Sequence, residues 1–240
     1  MLQLLPDAAL SLFLPQACHL CDREVTSAAD GVTCLECWEK TKIFDGTETL
    51  CIKCGAFLIG NASTAGESRC DRCQDQYFDH AVSLGLYEHA LKAAVLSLKT
   101  TPHIHRRLKD LISRLTVRHY SEPRILIPAP LSPRRLHERG FNQAATIARV
   151  IARVTKSVID EHTLVRRSHT QMHRAGMDRK AREKTVAGAF EVVRPNLIRD
   201  RSVVIVDDVL TSGATASACS LVLKESGTSE VHVFTLARAA

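Results

Sequence analysis

Eight cysteines constrain this chain more than any other feature. Cys18, Cys21, Cys34, Cys37, Cys51, Cys54, Cys70 and Cys73 form four Cys-x-x-Cys knuckles within the first third of 240 residues. Two residues between cysteines let both thiolates turn onto one tetrahedral ion at ~2.3 Å, and two knuckles complete a closed four-sulfur zinc site. Twelve residues separate the first two knuckles, thirteen the second and third, and fifteen the last two. Short, regular pairs in a chain without an export signal read as metal ligands rather than disulfides. Two zinc ions are expected, with an iron–sulfur cluster as the alternative. Sequential pairing into tandem ribbons is favoured over an interleaved, cross-braced unit, because short loop closures cost less entropy. With all eight thiolates engaged no coordination position stays open, so the zinc is structural rather than catalytic. His19, beside Cys18, reads as an ordinary loop histidine. Gly55, after Cys54, suits the tight turn of a knuckle because glycine accepts positive φ.

The rest of the chain differs in charge as well as in cysteine content. Residues 1–80 hold six Lys and Arg against twelve Asp and Glu, whereas residues 81–240 hold twenty-six against fourteen. The excess is concentrated in residues 92–201, with twenty-four basic against nine acidic side chains, which suits a polyanion such as a nucleic acid or a polyphosphate ester. Both asymmetries divide the chain into residues 1–80, an N-terminal helix with a double ribbon, and residues 81–240, a larger domain. With 45% hydrophobic and 24% charged residues, disorder and fibrous repeats are excluded. Residues 1–15 are apolar but lack a basic start and are interrupted by Asp7, so an amphipathic helix fits better than a signal peptide. No run reaches the ~18 apolar residues of a membrane span. A cytoplasmic protein without membrane insertion is expected.

From Ala81 apolar strands alternate with amphipathic helices, the pattern of an α/β domain with a mainly parallel sheet flanked by helices. Residues 82–87 and 124–127 read as strands. Between them, Ala90, Leu91, Ala94, Val95 and Leu98, then Leu108, Leu111, Ile112 and Leu115, follow the helical period. Residues 142–156 place Ile147, Ile151 and Val154 on a buried stripe and Arg149, Arg153 and Lys156 on a solvated face. His103 and His105 read as solvated loop residues, and Cys219 as a small apolar residue packed on the sheet.

The sharpest signal is Val203-Val-Ile-Val-Asp-Asp-Val-Leu-Thr-Ser-Gly-Ala-Thr215. Four apolar residues without alternation make a strand buried on both faces. The carboxylates Asp207 and Asp208 fall at its carboxyl end, where ligands sit in open α/β sheets. Thr211, Ser212, Gly213, Ala214 and Thr215 then offer N–H groups and hydroxyls to a phosphate at the start of a helix, aided by the helix dipole.

This stretch resembles the phosphoribosyl-pyrophosphate (PRPP) signature of type I phosphoribosyltransferases. The resemblance implies that Asp207 and Asp208 face the ribose hydroxyls, that residues 211–215 hold the 5-phosphate, and that magnesium accompanies PRPP, bound mainly through substrate oxygens and water. Ile127-Pro-Ala-Pro-Leu131, Pro133-Arg-Arg-Leu136, Glu138-Arg-Gly-Phe-Asn-Gln-Ala144, Gly188-Ala-Phe190 and Leu236-Ala-Arg-Ala239, together with the double ribbon, resemble the ComF family of competence-associated proteins over nearly the whole chain. That likeness implies a role in natural transformation, handling incoming single-stranded DNA on the cytoplasmic side of the uptake channel. Residues 128–131 are placed like a pyrophosphate-binding loop, and Arg134, Arg135 and Arg139 suit pyrophosphate or a nucleic-acid backbone. Lys99 matches a lysine often found after its helix. A basic hood over the substrate falls at residues 166–184. Gln171 is displaced from the usual glutamine position, with Arg174 nearer to it, and Thr185 replaces the usual asparagine. Three roles stay open: a DNA-handling protein whose phosphoribosyltransferase-like domain binds PRPP or a similar phosphate ester, an active phosphoribosyltransferase with an unknown acceptor, or a zinc-ribbon adaptor recruiting a DNA helicase or other transformation proteins. Aromatic residues for base stacking are few, with Phe141 and Tyr120 the candidates.

Overall fold

The alternating pattern after the fourth knuckle becomes a parallel sheet in the computed structural model, which describes residues 16–58, 69–167 and 188–239. Five strands, β1 (His80–Leu86), β2 (Ile125–Pro128), β3 (Val158–Ile159), β6 (Ser202–Leu210) and β7 (Glu230–Arg238), pair in parallel in the order β1-β7-β6-β2-β3. Two short strands, β4 (Leu164–Arg166) and β5 (Phe190–Val192), form a separate antiparallel pair.

β6 lies at the centre, between β2 and β7, and its side chains divide between two cores. Val204 and Val206 join Leu91, Ile112, Ile147 and Ile151 from helices α2 (His89–Ser97), α3 (Arg106–His119) and α5 (Gln143–Thr155). Val203 and Ile205 face the other way, toward Cys219 and Leu223 of α6 (Ala214–Glu225). Both faces of β6 are therefore covered, which is why its apolar run does not alternate. Ile147 and Ile151 are buried as the α5 stripe requires, and Arg149, Arg153 and Lys156 are exposed. Val154 departs from that stripe at 36% exposed, because it sits in the last turn of α5, where Lys156 turns left-handed at φ 56°.

The ribbons share both cores. Cys18, Cys34, Cys37 and Trp38 pack with the α2–α3–α5 side, and Cys51, Cys54, Cys73 and Phe78 with the α6 side. Trp38 lies on the short helix α1 (Leu35–Glu39) and donates from Nε1 to the Asp30 carbonyl at 2.9 Å. Between the second and third knuckles the chain runs antiparallel to the outer edge of β1. Phe44 N–H donates to the Leu84 carbonyl at 2.7 Å and Leu86 N–H to the Lys42 carbonyl at 3.0 Å. This capping of β1 removes an open edge that would otherwise invite pairing with another chain.

Two expectations are corrected. His105 is half-buried, with its ring against Gly31 of the first ribbon, and burial lowers its pKa. Tyr120 is only 5% exposed, held between His232, Phe234 and the Arg124 guanidinium, so its ring is not available for base stacking. In both cases a neighbouring element covers the ring, which local sequence does not reveal. The helix expected at residues 1–15 lies outside the described residues, as do Gln171, Arg174 and Thr185 of the hood segment. Among the described residues, no helix is long and apolar enough to cross a membrane.

Candidate functional site

The knuckles gather into two clusters in sequential order. Cys18, Cys21, Cys34 and Cys37 form one, and Cys51, Cys54, Cys70 and Cys73 the other, with the ligand atoms of each set within 4.8 Å of one another. Close sulfur pairs lie 3.6–3.7 Å apart in the first cluster and 3.4–3.6 Å in the second. Four thiolates at ~2.3 Å from a tetrahedral zinc stand about 3.8 Å apart, whereas a disulfide needs ~2.05 Å. The donor sets fit zinc. Burial opposes ionisation of Cys51, yet N–H groups of Cys54, Cys70 and Lys53 outweigh it and bring the thiol down to about 6. Such bonds prepare a sulfur to carry charge before a cation arrives. His19 stands outside both clusters, and Gly55 adopts φ 63° beside the Ala81 carbonyl.

The second site is at the carboxyl end of the sheet. β6 continues through both carboxylates to Leu210, so Asp207 and Asp208 lie within the strand rather than beyond it, with Asp207 in register with Thr235 of β7. Thr211 and Ser212 are exposed, Gly213 is left-handed at φ 80° as the N-cap of α6, and Ala214 and Thr215 open the helix. A residue with a Cβ would be strained in that conformation. The turn holds itself through Ala214 N–H to Ser212 Oγ at 3.4 Å and Ser217 N–H to the Gly213 carbonyl at 2.8 Å. A cavity of about 70 Å³ lies along Asp207 and residues 209–216, bordered by Val233 and Thr235.

Asp208 is buried and meets two partners, Lys99 Nζ at 3.7 Å and Gln143 Nε2 at 3.4 Å. Arg139 Nη1 donates to Gln143 Oε1 at 2.8 Å, so a continuous polar line runs from α4 (Pro133–Arg139) to the acid pair. Neighbouring Asn142 caps α5, accepting from Ala144 N–H at 3.0 Å and donating to the Ala129 carbonyl, also at 3.0 Å. The Phe-Asn-Gln stretch thus ties the loop after β2 to the end of β6. Burial first, then the charge of Asp208, pushes Asp207 up to about 7. The environment of Asp207 therefore favours a proton, a hydroxyl or a cation.

Arg166, at the end of β4, is a site residue that sequence reading placed only at the start of the hood. Burial, followed by the like charge of Arg135, lowers its pKa, while Asp207 opposes that shift. Its guanidinium stacks 5.3 Å from the Phe190 ring centroid, a contact that orients it. Gly188-Ala-Phe190 would have been the sequence signal for this platform. Arg135 is half-exposed and shares this field, whereas Arg134 is exposed and pairs with Glu138 at 2.7 Å. The structure thus brings Lys99 to Asp208 and links Arg139 to it through Gln143, sets Arg135 in the field of Arg166, and leaves Arg134 exposed.

The double zinc ribbon domain family model matches residues 9–77. The solved structure of a hypoxanthine phosphoribosyltransferase from Staphylococcus aureus is 15% identical, covering 61% of this chain and 64% of its own, with a TM-score of 0.36. The "DNA utilization protein YhgH" of Escherichia coli O157:H7 is 26% identical over 236 residues, 95% of this chain and 99% of that protein. "Competence protein F" of Haemophilus influenzae is 30% identical over 233 residues, 92% of this chain and 96% of its own length. A likeness of that extent spans the cysteine clusters and the acid-pair strand in one frame, and by it the chain belongs to the competence protein F (ComF) family.

Proposed function

We propose that this protein serves natural transformation in the cytoplasm, handling incoming single-stranded DNA through its basic phosphoribosyltransferase-like domain. In this reading residues 211–215 hold PRPP or a similar phosphate ester. The single observation that carries the ligand reading is the order along one strand and turn. Two carboxylates precede a left-handed glycine and a helix start, with Lys99 beside Asp208 and Arg166 within the field of Asp207. Carboxylates accept from hydroxyls and repel phosphate, so Asp207 and Asp208 suit a sugar while the turn suits its phosphate. The same oxygens would face magnesium brought in on a pyrophosphate, an ion that keeps much of its water and substrate shell. Magnesium would offset the charge between the diphosphate and the acid pair.

The DNA reading rests on the names of the relatives and on the basic excess of residues 92–201. Backbone charge would supply most of the affinity, since Tyr120 is buried. The deciding experiment is a transformation assay with Asp207→Ala/Asp208→Ala, alongside PRPP titration of the same protein. Loss of both transformation and binding supports a ligand site that matters to the role. Full transformation by a variant that no longer binds would reject that link.

A further inference from the structure

The back of the phosphate loop is built by the second cysteine cluster. Arg238, at the end of β7 and 6% exposed, donates from Nη1 to the carbonyl oxygens of Leu210, at 2.8 Å, and Thr211. Its Nη2 lies 4.0 Å from Cys54 Sγ. One guanidinium therefore spans from a metal-ligand sulfur to the last residue of β6 and the first of the loop. Gln76, three residues past Cys73 and also 6% exposed, directs Oε1 to 2.8 Å from where a Cβ would stand on Gly213. Among the described residues that oxygen has no hydrogen-bond partner. Lys53 Nζ holds the Gln76 carbonyl at 2.7 Å, and Tyr77 N–H reaches Ser217 Oγ of α6 at 3.1 Å. A cleft of about 310 Å³ runs between the two parts, lined by Cys54, Cys73, Gln76, Ser212, Gly213 and Arg238 among others.

We propose that the second zinc site positions the phosphate loop, with Arg238 and Gln76 as the positioning residues. Zinc keeps Cys54 as a thiolate. That negative charge compensates the buried guanidinium, which in turn fixes the carbonyls of Leu210 and Thr211 and so the N–H groups of the turn. Metal loss frees Cys54 and Cys73 from their shared ion, so the knuckle no longer fixes the sulfur beside Arg238 or the Gln76 segment beside Gly213, and the loop loosens. The first cluster packs in the opposite core. The inference rests on residues 211–215 being a phosphate site, but the clamp can be read without any ligand.

The test uses the full-length, zinc-loaded protein and two readouts, amide hydrogen exchange at residues 211–215 and titration with PRPP. Arg238→Lys keeps the charge but not the planar fork, and leaves every metal ligand in place. It is expected to retain two zinc per chain, to exchange at the loop at least ~10-fold faster, and to bind PRPP at least ~10-fold more weakly. Cys73→Ser is expected to loosen the loop likewise, and folded Cys18→Ser, whose cluster packs in the other core, to loosen it far less. Unchanged loop exchange in Arg238→Lys overturns the proposal whether or not either cysteine variant folds. Equal loosening by folded Cys18→Ser and Cys73→Ser overturns it too. If the parent fails to bind PRPP while the loop still opens in Arg238→Lys, the clamp stands and the PRPP reading falls.

Discussion

Gln143 Nε2 donates to Asp208 Oδ2 across 3.4 Å inside the protein, joining residues 65 apart in sequence and two elements that both border the proposed ligand site. The bond is long for an amide donor, but both groups are buried and Lys99 is the other partner of the carboxylate. Removing a partner from a buried charge costs about 1–3 kcal/mol, more than an exposed pair contributes. Gln143→Leu is therefore expected to lower unfolding stability by roughly that amount in urea titration, and to weaken PRPP binding. Unchanged stability would show that Lys99 alone satisfies Asp208.

Asp207 gives a pH-dependent prediction. Its pKa is raised from 3.8 to about 7, so the folded state holds a proton that the unfolded state releases. The native state is then progressively penalised as pH rises from about 4 to about 7, and fully above that. Asp207→Asn, which removes the ionisation, is expected to stabilise the protein at pH 8 by at least ~1 kcal/mol relative to its effect at pH 4. Thermal unfolding at the two values checks this, and an equal effect at both would contradict the raised pKa.

Metal removal is expected to reach the sheet as well as the ribbons, because each cluster packs into one of the two cores. Trp38, the one tryptophan of the chain, is buried beside the first cluster and reports on it directly. Chelation should shift its fluorescence to the red together with loss of the far-ultraviolet signal of the sheet, and metal analysis of the parent should give two zinc per chain. Loss of the ribbons with an intact sheet signal would show that the cores are separable.

The basic helix α4 makes a salt-dependence prediction. Arg134→Ala/Arg135→Ala/Arg139→Ala is expected to weaken single-stranded DNA binding at moderate salt. It should flatten the log K against log salt slope by about 0.7 for each phosphate contact removed. Arg139 also holds Gln143 at 2.8 Å, so its single variant should affect PRPP binding as well, whereas Arg134→Ala should act on DNA alone. Unaltered DNA affinity and slope would place the DNA surface elsewhere.

Much of the site was legible because its parts are contiguous. The knuckles, the buried strand and the turn at residues 211–215 each depend on spacing within a few residues, where metal geometry, burial and backbone conformation act locally. Sequential knuckle pairing followed from loop entropy, and the structure has it. Asn142 and Gln143 were visible as a motif but carried no role, since their partners, Ala129 and Asp208, belong to other elements.

The sequence by itself determined two four-cysteine sites, a parallel α/β sheet and an acid pair running into a phosphate-type turn. Periodicity and ligand spacing report which positions are buried and which side chains can share an ion. They do not report what covers a face. Tertiary structure alone decided that Tyr120 is enclosed, that Arg166 feels the charge of Asp207, and that Arg238 lies between a zinc-ligand sulfur and the loop. Each of these depends on the packing of elements far apart in the chain, and Arg238 and Cys54 are separated by 184 residues.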